Sequence, residues 1–156
     1  MIIALENIRS LYNVGSIFRT ASFFGITKIL LVGYSGRKAA GVDELHQKVK
    51  KTALGAEKDL EIKFLKNNQA LISFCRKNKL KLVAVEQAKN SVEINHWRPK
   101  KNSVLVFGNE IDGISQEILV VADEVVEIHC RGQKGSLNVA TVAGIALAQI
   151  GLKLNA

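Results

Sequence analysis

The sequence predicts an α/β fold with a mainly parallel sheet and helices on both faces. Short runs of β-branched and other apolar residues alternate with segments whose apolar residues recur at helical spacing. Such alternation is typical of parallel sheets, because each strand needs a crossover before the next strand can run the same way. The 156 residues are 47% hydrophobic and include one proline. They predict a single domain over 1–156 with a sizeable core, and they exclude a disordered or collagen-like chain.

The N-terminal part opens with an apolar run and then a helical pattern. The run at 2–5 predicts a strand. Apolar residues within 13–24 recur at helical spacing, with Asn13 as the expected N-cap and Gly25 as the expected stop. A second β-rich run at 28–32 predicts the next strand.

A polar, glycine-containing stretch follows and interrupts the alternation. Glycine and serine favour turns, so residues 34–41 are predicted to form a mobile loop. A helical pattern at 42–53 comes next, then a short strand at 60–65 and a helix at 67–79.

The C-terminal half repeats the alternation and ends in an unusual helix. Strands are predicted at 80–85, 103–107 and 125–128, an irregular polar segment at 87–102, and helices at 115–121 and 137–152. The last helix is apolar around most of its circumference, so it must be buried on all sides. In a domain of this size we expect one of its faces to meet a second copy of the chain, with burial against the sheet as the alternative.

Composition also restricts the partners and the compartment. Lysine and arginine number 22 against 14 acidic residues, a net charge of +8. This excess favours nucleic acid as a partner, then an anionic membrane surface, with solubility alone as the alternative. Cys75 and Cys130 lack metal-site or disulfide spacing, and no targeting or spanning segment is evident. We expect a cytoplasmic protein that is not embedded in a membrane and holds no metal.

Three polar clusters are candidates for chemistry, and the first begins a helix. Free N–H groups near Asn13 and Gly15 can hold an anion, and the guanidinium of Arg19 can clamp a phosphate. The alternative is a capped helix with one solvated arginine.

The second and third clusters follow predicted strands, where ligands of parallel sheets bind. Residues 107–115 contain Gly108, Glu110 and Asp112, and the alternative for them is a tight turn. Residues 128–144 form a basic loop before a helix, and their small polar residues alternatively serve as caps. The absence of GxGxxG, GxxxxGK[ST] and GxSxG motifs argues against dinucleotide enzymes, P-loop nucleotidases and serine hydrolases.

The order of these clusters resembles the SpoU (TrmH) family of SPOUT RNA methyltransferases. The matching residues are Asn13, Gly15 and Arg19 in the first motif, Gly108, Glu110 and Gly113 in the second, and Ile128, Gly132, Ser136, Leu137, Asn138 and Val139 in the third. The run KTALGAE at 51–57 is also similar to a segment of this family. His129, Cys130 and Ala140 depart from the third motif.

The resemblance implies a deep trefoil knot near the C-terminus, which binds S-adenosylmethionine in a bent form. The residues that should contact this donor are Gly108, Ile128 and Leu137, with Phe107 and Gly132 beside them. The resemblance also implies a homodimer whose active site forms where the subunits meet.

The implied reaction is methylation of a ribose 2′-hydroxyl in RNA. The family's proposed base corresponds to Arg19, although a guanidinium keeps its proton at ordinary pH. In the alternative version, Arg19 binds a phosphate and stabilises the developing alkoxide. The residues expected to orient the reactants are Asn13, Glu110, Ser136 and Asn138.

The short length resembles that of the small family members that act on the anticodon wobble ribose of transfer RNA, so we expect transfer RNA rather than ribosomal RNA as the substrate. The candidate phosphate contacts are Arg37, Lys38, Lys48, Lys50, Lys51, Arg98, Lys100 and Lys101. The alternatives are a ribosomal RNA methyltransferase, a knotted RNA-binding dimer without catalysis, and a different small-ligand α/β enzyme.

Overall fold

Neighbouring strands of the sheet all pair in parallel in a computed structural model, which describes residues 1–154. The strands are β1 (Ile2–Glu6), β2 (Lys28–Val32), β3 (Glu61–Leu65), β4 (Lys81–Val85), β5 (Val92–Glu93), β6 (Ser103–Phe107) and β7 (Glu124–Glu127). Their order across the sheet is β3-β2-β1-β6-β4-β7-β5. The predicted α/β class is confirmed; the last two residues of the predicted domain lie outside the described part.

Helices cover both faces of the sheet. They are α1 (Leu11–Phe23), α2 (Gln47–Ala53), α3 (Asn68–Lys77), α4 (Gln116–Val121) and α5 (Val139–Leu154), with a 3-10 turn at Ala56–Lys58. The cluster of buried residues on one face includes α1, α2 and α5, and the cluster on the other includes α3 and α4. Strand residues alternate between the two clusters, as the two-residue period of a strand requires. The central strands β1 and β6 are therefore apolar along most of their length, whereas the edge strand β3 carries Glu61 and Lys63.

Close approach of backbones fixes α1 against its neighbours. A Cβ added at Gly15 would lie 2.5 Å from the carbonyl oxygen of Val49, so glycine permits the contact between α1 and α2. On its other side α1 packs along α5 in the same direction, with Thr20 near Gly144 and Phe24 near Gly151.

Several element boundaries differ from the sequence predictions. The N-cap of α1 is Ser10 rather than Asn13, because the Ser10 hydroxyl accepts the N–H of Asn13 at 3.3 Å. The helix predicted at 42–53 is confined to α2, because Leu45 pairs with Arg37 in an antiparallel bridge. The segment predicted to be irregular contains β5, and the last helix begins two residues later than predicted.

The loop predicted to be mobile at 34–41 is anchored in its middle. The buried Ser35 hydroxyl donates to the carbonyl of Leu5 and accepts the N–H of Ile8, both at 2.8 Å. Arg37 is buried, donates to backbone carbonyls and the Asp43 carboxylate, and lies 4.9 Å from the ring centroid of Phe64. These contacts contradict the predicted mobility and make Arg37 a structural residue instead of a phosphate contact.

Candidate functional site

The loops after β4, β6 and β7 meet around one cavity of about 430 Å³. Its walls include the predicted donor-binding residues Phe107, Gly108, Ile128 and Leu137, together with the apolar side chains of Ile114, Leu119, Val139 and Val142. Gly132 lines an adjoining cavity of about 280 Å³, which shares Ile128 and Leu137 with the first. Both volumes are in or close to the range of small-molecule pockets. The second and third clusters are thus brought together at the carboxyl ends of the strands.

Two carboxylates hold the turn that forms the cavity wall. Glu86, just after β4, accepts the N–H of Ile114 at 3.0 Å, and the buried Glu6 accepts the N–H of Ser115 at 3.2 Å. Gly113 has φ +68°, and a Cβ there would lie 2.5 Å from a carboxylate oxygen of Glu86. Sequence reasoning missed both acids, although an acidic residue directly at the end of a buried strand could have indicated them.

The buried Asn109 connects the same turn to the loop after β1. Its side-chain amide donates to the carbonyl of Asn7 and to the hydroxyl of Tyr34, both at 2.8 Å. Its carbonyl oxygen accepts the N–H groups of Ile111 and Asp112. All four bonding positions of the amide are filled, so Asn109 fixes this junction. It too was missed from the sequence.

Glu110 accepts three hydrogen bonds where the second cluster meets the first. The donors are the N–H groups of Arg9 and Ser10 and the side-chain amide of Asn13, each at 2.9 Å. Partial burial alone would raise the pKa of this carboxyl, but the N–H and amide donors outweigh it and hold the pKa below its ordinary value. Glu110 is therefore ionised at neutral pH and locks the start of α1 against the turn after β6.

The third cluster joins this network through Asn138. Its side-chain amide donates to the side-chain oxygen Oδ1 of Asn13 at 3.1 Å, and its own side-chain oxygen caps α5 by accepting the N–H of Ala140 at 2.9 Å. Ser136 is exposed and lines the larger cavity. Four of the five predicted catalytic residues thus lie together: Asn13, Glu110, Ser136 and Asn138.

Arg19 lies apart from these four residues. It is exposed on α1, six residues after Asn13, which places it on a different side of the helix. Among residues 1–154 no hydrogen bond or ion pair of its side chain is found, and it does not line the larger cavity. The same face of α1 carries the exposed aromatic residues Tyr12 and Phe23.

The loop between β7 and α5 is largely exposed and carries two of the departures from the family motif. His129 lies 3.5 Å from the Glu127 carboxylate, and the Cys130 thiol donates to the carbonyl of Lys134 at 2.8 Å. Both residues line the smaller cavity together with Gly132, so these departures change part of that cavity's wall.

The remaining predicted phosphate contacts are on the surface. Lys48, Lys50, Lys51, Arg98, Lys100 and Lys101 are exposed, and Lys38 is exposed but paired with Glu44 at 3.0 Å. Across residues 1–154, no helix combines the length and apolar character needed to cross a membrane.

Known proteins share both the sequence and the fold. Residues 1–148 match the model of the SpoU rRNA Methylase family. A tRNA (guanosine(18)-2′-O)-methyltransferase of Aquifex aeolicus is 32% identical over 148 residues, which are 94% of this chain and 66% of that enzyme. An uncharacterized tRNA/rRNA methyltransferase of Synechocystis is 31% identical over 93% of this chain and 50% of its own length. The chain thus spans between half and two thirds of these relatives.

A solved structure gives the same result at the level of the fold. The AdoMet-bound rRNA methyltransferase of Sinorhizobium meliloti superposes with a TM-score of 0.84 and 29% identity, over 96% of this chain and 54% of that one. The family match extends over nearly the whole chain and contains all three polar clusters. The chain therefore belongs to the SpoU family of RNA methylases, as the order of its motifs predicted.

Proposed function

We propose that this protein transfers a methyl group from S-adenosylmethionine to a ribose 2′-hydroxyl of RNA, with transfer RNA favoured over ribosomal RNA. The observation that carries the proposal is the network of Glu110, Asn13 and Asn138, which joins three distant sequence motifs at the rim of one cavity. Binding RNA would not by itself require an ionised carboxylate fixed by three donors. The network therefore favours an enzyme over a binding module.

The larger cavity fits the methyl donor in size and chemistry. Its volume is about 430 Å³, and apolar side chains such as Ile128 and Leu137 offer surfaces for an adenine ring. Gly108 exposes backbone without a side chain at the cavity wall. When bound, S-adenosylmethionine supplies an electrophilic methyl group on a sulfonium and leaves as a neutral thioether. No acid is needed for the leaving group, so the protein's own task is to handle the hydroxyl proton.

Asn13, Ser136 and Asn138 orient the ribose, and Glu110 holds Asn13 in place. Arg19 either takes the hydroxyl proton or stays charged, binds the neighbouring phosphate and stabilises the developing alkoxide. The second role suits a guanidinium better, because its proton is retained at any ordinary pH. The exposed position of Arg19 leaves it available to a bound RNA.

We also propose that the active unit is a homodimer formed through α1 and α5. Phe23 is 82% exposed and Leu152 is 70% exposed, and Phe24 packs against α5 beside them. Large apolar side chains grouped on one surface are typical of protein interfaces. Arg19 is exposed on the same face of α1, and we propose that it acts at the partner subunit's cavity.

The C-terminal segment is proposed to form a deep trefoil knot. The connection from β4 to β6 extends beyond β7, where it forms β5, and then returns to the middle of the sheet. The end of α5 is bound to this connection by Lys153, whose ammonium donates to the carbonyls of Ile94, Asn95 and Trp97 at 2.6–2.9 Å. Such contacts support threading of the tail through the connection. We regard residues 1–156 as a single domain that works in the cytoplasm, where Cys75 and Cys130 would stay reduced.

The choice of RNA is tested by mass spectrometry of nucleosides from a strain that lacks the protein. The Aquifex relative acts on guanosine 18 of tRNA, which supports a tRNA ribose as substrate; methylation at the wobble ribose stays a prediction. Loss of one 2′-O-methylnucleoside from tRNA, restored by the wild-type gene, is expected. Loss from ribosomal RNA alone would overturn the tRNA preference, and no loss from either RNA would overturn the reaction.

One variant distinguishes binding of the methyl donor from the role of Arg19 in methyl transfer. Arg19→Ala should bind S-adenosylmethionine with unchanged affinity in calorimetry and yet lose at least about a hundredfold in methyl transfer. Lys58→Ala, a change at another exposed cation, serves as the control. Full turnover by Arg19→Ala would contradict both roles, and absence of donor binding by the wild type would contradict the donor assignment.

A further inference from the structure

A second surface, at the opposite end of the sheet from the cavity, concentrates positive charge. Seven of the 22 lysine and arginine residues occur within 76–81 and 98–102, two short segments without an acidic residue. All seven side chains are exposed. We call the part formed by Arg76, Lys77, Lys79, Lys81, Lys100 and Lys101 the distal basic surface.

The fold brings the two segments together at the amino ends of β4 and β6. The N–H of Lys81 donates to the carbonyl of Asn102 at 2.9 Å, and Lys81 is in register with Ser103. Because β4 and β6 are parallel, their amino ends share one edge of the sheet. The distal basic surface is therefore separated from the donor cavity by the length of β4, about 16 Å for five residues.

A cavity of about 410 Å³ opens on this surface between α3 and the end of α4. Ile72, Leu80, Leu82 and Val121 contribute apolar walls, and Arg76, Lys79 and Lys81 lie around it. Lys81 pairs with Asp123 at 2.6 Å, and the nearby carboxylate of Glu124 accepts the indole N–H of Trp97. For Arg76 and Lys79 no acidic partner is found within residues 1–154.

Charge complementarity identifies the occupant. Arg76 and Lys79, two cations beside a concave surface, can bind a polyanion. The polyanion in the proposed reaction is the phosphate backbone of the substrate RNA. An RNA that places one ribose at the donor cavity must continue away from it. We propose that the distal basic surface binds the phosphate backbone of the substrate RNA at a point remote from the methylated ribose. This inference rests on the proposed function for the identity of the RNA.

The surface should contribute to affinity rather than to the chemical step, because none of its groups reaches the reacting atoms. The double variant Arg76→Gln/Lys79→Gln removes two exposed positive charges, and neither side chain forms an ion pair within residues 1–154. Its matched control, Lys58→Gln/Lys63→Gln, removes the same charge from another part of the surface. Thermal unfolding of both variants establishes that they fold.

The decisive measurement is binding of labelled bulk tRNA, taken from a strain that lacks this protein, to the full chain at several salt concentrations. The Arg76→Gln/Lys79→Gln variant, called the patch variant below, should bind tRNA about tenfold more weakly at low salt. The slope of log affinity against log salt concentration should become shallower by about 1.4, or about 0.7 for each lost phosphate contact. In methyl transfer its KM should rise with kcat preserved. The control should remain within about twofold of wild type.

Three other outcomes are distinguishable. Equal affinity and equal salt slope for the patch variant and the control would overturn the proposal. Loss of binding to vesicles containing phosphatidylserine, with tRNA binding unchanged, would assign the surface to a membrane and also overturn it. If the wild type methylates no RNA but the patch variant still loses tRNA affinity, the RNA surface stands and the proposed reaction fails.

Discussion

The side-chain amide of Asn13 donates a 2.9 Å hydrogen bond to the carboxylate of Glu110, 97 positions away in the sequence. The same carboxylate accepts the N–H groups of Arg9 and Ser10, which precede α1. The ionised carboxylate of Glu110 therefore takes the place of water as the acceptor for N–H groups at the start of α1. It also aligns the side-chain amide of Asn13, a candidate ligand of the substrate.

Replacing Glu110 by glutamine should weaken both the fold and the reaction. Glutamine keeps the shape but loses the charge, and its NH2 group cannot accept a hydrogen bond, so at least one of the bonds from Arg9, Ser10 and Asn13 is lost and the others become weaker. We expect a loss of about 1 kcal/mol in the free energy of unfolding, measured in urea, because the site is only partly buried. The loss in the rate of methyl transfer, converted to a free energy, should exceed the loss in the free energy of unfolding. Glu117→Gln, at an exposed carboxylate that accepts the Gln69 amide, is the control, and equal effects of the two changes would contradict this account.

Acid should destabilise the wild type more than the Glu110→Gln variant. The pKa of Glu110 is lower in the folded protein than its ordinary value of 4.5, so the folded state binds fewer protons than the unfolded state in this range. The stabilisation is fully present above the unfolded pKa and is lost as pH falls through the folded pKa. Urea unfolding from about pH 6 to pH 3 should show the two proteins converging. If the unfolding free energies of the two proteins changed in parallel with pH, the lowered pKa of Glu110 would be refuted.

Alanine at Gly108 should disturb the cavity wall. Its Cβ would lie 2.4 Å from the carbonyl carbon of Gly113 and from the nitrogen of Ile114, and backbone atoms cannot rotate away as a side chain can. We expect a loss of about 1–3 kcal/mol in unfolding free energy, together with weaker donor binding in calorimetry. Gly132→Ala provides the matched control for stability, since nothing lies within 4 Å of its added Cβ. A stable Gly108→Ala protein with normal donor affinity would be the contrary result.

The thiol of Cys75 should be protected in the native protein. Burial, followed by the nearby charge of Asp123, raises its pKa from 9.0 to about 11. A change of this size lowers the thiolate fraction roughly a hundredfold at pH 8, and the thiolate is the form that reacts. In a Cys130→Ser background, alkylation by iodoacetamide followed by mass spectrometry should be at least about a hundredfold slower for the native protein than in urea. Similar rates would show that Cys75 is accessible.

Much of the fold was predictable because its signals are local. Apolar runs identified the strands apart from β5, and helical periodicity identified the five helices, although α2 is shorter than its pattern indicated. The two residues of β5 are too few to form a pattern, and they become a strand only by pairing with β7. The motif order also identified the candidate site, of which Asn13, Glu110, Ser136 and Asn138 lie together.

The sequence by itself determined the fold class, the family and the residues from which the site is built, since spacing and residue type are properties of neighbouring positions. Tertiary structure decided how those residues are used. Ser10 and Asn13 are both good helix caps, and Ser10 holds that position while the amide of Asn13 is bound to Glu110. Arginine is usually exposed on the surface, but Arg37 is buried, because its guanidinium packs on Phe64 and donates to the distant carbonyl of Leu65. Such choices depend on groups that are far apart in the chain and meet only when the sheet is assembled.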